Sequence, residues 1–157
     1  MPKDSFGGAY LVKHMDAPTR VAAYFEDLIE RCNRSGQGRP TSLPAHDQYI
    51  FCVISTRCEM DINGFGSVFD QLLEESEISV LITALNELGC TTLSDAFSTA
   101  HDRLAEAGFF DDDEMMVCDL AMENGGFLDD IEETVRNSNL MWDLDNSLAK
   151  LLPEEAK

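Results

Sequence analysis

"MDINGFGSVFDQLLEESE", residues Met60 to Glu77, places Asn63-Gly64-Phe65-Gly66 between two segments of helical spacing and then runs into carboxylates. Glycine is the poorest helix former after proline, so two glycines here read as a corner between helices. Upstream, the segment from about Ser42 to Asp61 is apolar through "YIFCVISTRC". Its β-branched residues leave room for a strand, but its length and flanks favour a buried central helix. Downstream, Val68, Phe69, Leu72 and Leu73 form the stripe of a short third helix. Two readings of the corner stand side by side. In the structural one, Asn63-Gly64 takes the left-handed conformation that ends a helix, and Gly66 lets two backbones approach while Phe65 and Phe69 fill the core. In the other, the same glycines shape a ligand site.

Working outward, Val21, Phe25, Leu28, Ile29 and Cys32 recur at helical spacing and end at the loop Ser35-Gly36-Gln37-Gly38-Arg39-Pro40. "SEISVLITALNELG" places Ile78, Leu81, Ile82, Leu85 and Leu88 on one face, with Gly89 in the position of a helix C-terminal glycine. The next helix is expected to begin at Thr92-Leu93-Ser94-Asp95, capped by the threonine, and to end at Gly108. Shorter helices are expected in "DDDEMMVCDLAMENGG" and "FLDDIEETVRN", and a last one in "MWDLDNSLAKLL", with Met141, Leu144, Leu148 and Leu151 as its stripe. No alternating strand pattern competes. The expectation is an all-α fold: residues 1–17 a flexible arm, and residues 18–157 a single compact domain of about seven or eight helices.

With 157 residues and 44% hydrophobic content the chain is long and apolar enough to bury a core without metals or disulfides. Its charge is the unusual feature: 30 acidic residues against 11 basic ones leave a formal −19. The excess is confined to one part. Residues 1–58 hold six acids and seven bases, whereas residues 59–157 hold 24 acids and four bases, the first of them Arg103. Such a surface repels nucleic acid and anionic membranes and attracts a basic protein, or a metal if the carboxylates converge.

Five cysteines, Cys32, Cys52, Cys58, Cys90 and Cys118, show no metal spacing and mostly sit on apolar helix positions, as reduced thiols of a cytoplasmic protein would. The longest apolar run, Tyr49 to Ile54, is too short for a membrane span or a signal core, and no targeting segment is visible. His14, His46 and His101 are scattered, and there is no nucleophile elbow, zinc-protease motif or lysine-bearing phosphate loop. Two calcium-like spacings fail. The one from Asp143 has Leu148 where glycine is required, and the one from Asp61 has Phe65 at position five and Leu72 in place of the bidentate glutamate. The expectation is a non-enzymatic protein with no cofactor and no metal.

Three acidic clusters remain as candidate partner-binding residues: Glu74, Glu75 and Glu77; Asp111, Asp112, Asp113 and Glu114; and Asp129, Asp130, Glu132 and Glu133. The last places like charges at three- and four-residue spacing, neighbours on a helix. The run at 111–114 is expected at a helix start, where the dipole tolerates it. Acidic faces also serve solubility alone, and that alternative stays open.

The run Asn63-Gly64-Phe65-Gly66 with Phe69, then "LITALNELGC" (Leu81 to Cys90), "LSDAFSTAHDRL" and the closing "LDNSLAKLL" resemble a bacterial family of domains of unknown function that includes an acidic DNA mimic from Neisseria. The family's mark is an Asn-Gly-Gly-Phe motif followed by an aromatic. Here glycine and phenylalanine are exchanged in the first motif, and the intact Asn124-Gly125-Gly126-Phe127 lies later, in "MENGGFLDD". The resemblance covers about residues 45 to 105 and, weakly, the C-terminus. It implies an all-helical protein, a homodimer, whose acidic surface occupies the site of a DNA-binding transcription factor without binding nucleic acid itself. The alternative reading is an immunity or antitoxin-like protein that neutralises a basic toxin enzyme.

Overall fold

The computed structural model describes residues 19–34, 38–136, 144 and 147–148. Among them there are seven α-helices and no strand: α1 Thr19–Arg34, α2 Ala45–Asn63, α3 Phe65–Ser67, α4 Glu75–Glu87, α5 Thr91–Glu106, α6 Val117–Glu123 and α7 Asp129–Arg136. The expected arm at 1–17 and most of the expected last helix lie outside the described residues. Of that helix Leu144 and Leu148, one turn apart, are both buried.

Helix α2 is the axis. Every residue from Ile50 to Glu59 is buried, as befits a helix surrounded on all sides. Against it pack α1, through an edge-to-face pair of Phe25 and Phe51 with centroids 5.3 Å apart, and α4, which in turn packs on α5. Asp47, in the first turn of α2 where a carboxylate is favoured, accepts hydrogen bonds from the Tyr24 hydroxyl (2.6 Å) and from Arg31 (3.0 Å), fastening α1 across the top.

The corner is built as a structural device. Asn63 stays helical as the last residue of α2, and Gly64 alone turns the chain, at φ 90° and ψ 171°. That is the mirror image of extended backbone, accessible essentially to glycine, and not the left-handed helical conformation expected from Asn-Gly. A buried carboxylate holds the corner closed: Glu59 accepts from the Asn63 amide at 3.0 Å and from the Ser67 hydroxyl. One turn of α3 then widens into a π-helical turn over Val68–Leu72, replacing the regular third helix that the apolar spacing suggested. Phe65 and Phe69 meet Phe97 of α5 at centroid distances of 4.8 and 5.9 Å, and each other at 5.6 Å. Aromatic pairs of this kind contribute ~0.5–1.5 kcal/mol each beyond the area they bury.

Helix α4 ends as its glycine predicts: Gly89 (φ 78°) carries a turn in which the Cys90 N–H bonds Leu85 O at 2.9 Å and the Gly89 N–H bonds Asn86 O at 3.0 Å. The start of α5 differs from expectation. Its N-cap is Cys90, with no side-chain cap, and the threonines lie inside the first turn. The cysteines also divide: Cys32, Cys52 and Cys58 are buried, Cys90 is half-buried and Cys118 is exposed.

Replacing Gly64 with alanine is expected to cost ~1–3 kcal/mol although its Cβ would meet nothing within 4 Å, because the loss is backbone strain alone. Denaturant unfolding of Gly64→Ala against the parent measures this, and an unchanged midpoint would remove the strain argument.

Candidate functional site

Glu74, Glu75 and Glu77 open α4, but they do not form one surface. Glu74 is the N-cap and Glu77 closes a capping box, accepting the Glu74 N–H at 2.8 Å. Glu77 is also buried, 2% exposed, beneath Arg39, which donates from Nε at 3.1 Å and from Nη2 to the same carboxylate. The Arg39 Nη2 further donates to Leu72 O at 3.2 Å. Glu77 is therefore withdrawn from the candidate binding residues, as a structural anion spent on Arg39. Its partner is 38 residues upstream, in a loop that local spacing does not connect to α4.

The run at 111–114 also departs from expectation. Phe109–Asp111 is a 3-10 turn, Asp112 accepts the Glu114 N–H at 3.0 Å, and α6 begins only at Val117. The carboxylate at the start of α6 is Asp70, from the π-helical turn, which accepts the Val117 N–H at 2.8 Å. Asp70, a residue the sequence reading passed over, thus joins Asp119 of the first turn in complementing the dipole of α6. Asp111, Asp112, Asp113 and Glu114 are all exposed.

In the third cluster Asp129 and Glu133 are exposed, and Glu132 is half-buried beside Gly66, close to where α3 meets Val117. Asp130 is engaged: Arg103 of α5 grips it with two hydrogen bonds of 2.6 and 2.7 Å and also donates to Phe127 O at 3.1 Å. This pair fastens α7 to α5.

Helix α5 orders the clusters in space. His101 lies 3.1 Å from Glu75 and 3.4 Å from Asp102, and stacks on Phe110 with centroids 5.0 Å apart. Glu75 and Phe110, the residue before the 111–114 run, therefore meet at His101 on one flank of α5. Arg103, two residues on and so about 200° around the helix, holds Asp130 on the other flank.

The glycine corner borders a groove of about 370 Å³ lined by Met60, Asp61, Gly64, Phe65, Glu132, Val135 and Arg136. It is open and carries two carboxylates, with Asp61 also paired to Arg57 at 2.8 Å. Among the described residues no three His, Cys, Asp or Glu side chains converge as metal ligands would, and no helix is long and apolar enough to cross a membrane.

The hydrogen bonds from Arg103 hold the Asp130 carboxyl down to about 2 from its usual 3.8. Because the folded value is the lower one, this contact stabilises the fold above the ordinary carboxylate range, and the stabilisation fades as pH falls from about 4 to about 2. Asp130→Asn is expected to unfold earlier than the parent near neutral pH, with the difference closing by about pH 2. A difference constant across that window would contradict the assignment. Comparison of the chain with protein-family models, with curated proteins and with solved structures found no match.

Proposed function

We propose that this is a non-enzymatic acidic binding protein that occupies the basic surface of a partner, a DNA-binding regulatory protein being the partner class its charge fits best. The observation that supports the reading is the shortage of counter-charge. After Arg57 the first basic residue is Arg103, and it is spent on Asp130, while Glu74, Glu75, Asp111–Glu114, Asp129 and Glu133 stand exposed around α5. An excess of like charge on one small domain destabilises it, so its retention favours a binding role over solubility alone. Duplex DNA carries about one charge per 1.7 Å of axis, and carboxylates fixed on packed helices are the protein counterpart of such a surface. The resemblance in residues 45–105 points to the same activity and to a homodimer, and the reduced cysteines suit a cytoplasmic setting.

The test is capture from nuclease-treated native lysate, followed by affinity measurement of the purified partner over a salt series with duplex DNA as competitor. The expected result is a basic DNA-binding protein displaced by DNA. The combined variant Asp111→Lys, Glu114→Lys, Asp129→Lys and Glu133→Lys, which spares the Glu74–Glu77 capping box and Asp130, should bind it about tenfold or more weakly and with a flatter salt dependence. Unchanged affinity in a variant of unchanged helicity would refute the reading. A retained enzyme that is inhibited, and that DNA does not displace, would replace it with the antitoxin-like alternative.

A further inference from the structure

The chain contains two Asn-Gly pairs, Asn63-Gly64 and Asn124-Gly125, and the structure treats them oppositely. Asn-Gly is the dipeptide most prone to intramolecular attack, because the glycine leaves its backbone nitrogen uncrowded. At the corner both reacting groups are held: the Gly64 N–H donates to Met60 O at 3.2 Å and the Asn63 amide donates to Glu59 at 3.0 Å. At the second pair neither is. Asn124 caps the end of α6, with its own N–H on Leu120 O at 2.9 Å, but neither its side-chain amide nor the Gly125 N–H has a hydrogen-bond partner among the described residues. Residues 122–126 are all exposed, Met122 at 85%. The turn is anchored just beyond the pair, where Gly126 O accepts the Asp129 N–H at 3.2 Å and Arg103 holds Phe127 O.

We propose that Asn124 is a self-modification site, converted in the folded protein to aspartate and isoaspartate through a cyclic imide formed with Gly125, while Asn63 is protected. The Gly125 nitrogen, losing its proton to solvent base, attacks the Asn124 side-chain carbonyl carbon. The new N–C bond replaces the C–N bond to the amide, which leaves as ammonia. Water then opens the imide at either carbonyl, giving a carboxylate on the side chain or, with the backbone rerouted through the side chain, on the main chain. Nothing is oxidised or reduced, and water is the only co-reactant. The product carries one more negative charge at the end of α6, five residues before Asp129, and the isoaspartate form adds a methylene to the backbone. This inference is independent of the proposed partner.

The test incubates the folded full-length chain at mildly alkaline pH and follows both sites by peptide mass spectrometry, which reads the gain of about one mass unit and resolves the isoaspartyl peptide. Position 124 should convert at least about tenfold faster than position 63 in the folded protein, because reaction at Asn63 requires the corner to open first. In denaturant the two rates should become similar. Gly125→Ala should keep the fold, since the added Cβ meets nothing within 4 Å and Gly125 has no positive φ, yet should slow conversion at 124 sharply. Equal rates at the two sites in the folded protein would overturn the inference. So would a stable Asn124 that reacts only once the chain is unfolded.

Discussion

The arrangement of this molecule depends on one buried ion pair. Arg39 leaves the loop after α1 and reaches the first turn of α4, where Glu77 lies under it, and its Nη2 also donates to the Leu72 carbonyl at the end of the π-helical turn. The loop after α1 is thereby tied, across more than thirty residues, to both the end of the π-helical turn and the start of α4. Glu77 is also half of the capping box, so the pair positions the helix that packs on both α2 and α5. Removing one member of such a pair leaves a buried charge unmatched and costs ~3–5 kcal/mol, more than an exposed pair such as Arg34 and Glu30 contributes.

The carboxylates accordingly fall into two populations. Asp47, Glu59, Asp70, Glu77 and Asp130 each hold a joint: α1 to α2, the glycine corner, the start of α6, the loop to α4, and α7 to α5. Glu75, Asp111–Glu114, Asp129 and Glu133 hold none of these joints and are exposed, while Glu74, also exposed, caps α4. Rigid joints and exposed like charge suit each other, since a surface that resembles a polyanion must keep its charges in place although they repel one another.

The amphipathic helices were legible in the sequence because they bury a stripe that the 3.6-residue period exposes: Ile78, Leu81 and Leu85 in α4, or Leu93, Phe97, Ala100 and Leu104 in α5. The corner was legible too, because two glycines interrupt an apolar helix, although the φ and ψ of Gly64 were not. The misreadings share a cause. Glu77 was grouped with Glu74 and Glu75 because adjacency is visible in a sequence, whereas Arg39 becomes its neighbour only after folding. The π-helical turn at 68–72 carries the same apolar spacing as a short α-helix. The 111–114 run resembled a helix start by composition, while the carboxylate that serves α6 arrives from Asp70, 47 residues before Val117.

The division of the carboxylates is most directly tested by comparing unfolding free energies of charge-neutralised variants at low salt. Glu77→Gln should lose several kcal/mol, because the Arg39 guanidinium is left buried without its counter-charge. The joint replacement Asp111→Asn, Glu114→Gln and Glu133→Gln, which leaves the capping box of α4 intact, should leave stability unchanged or raise it, since it removes repulsion and no buried contact. A loss from the exposed set as large as that from Glu77 would show that those carboxylates are structural too, and would contradict the account.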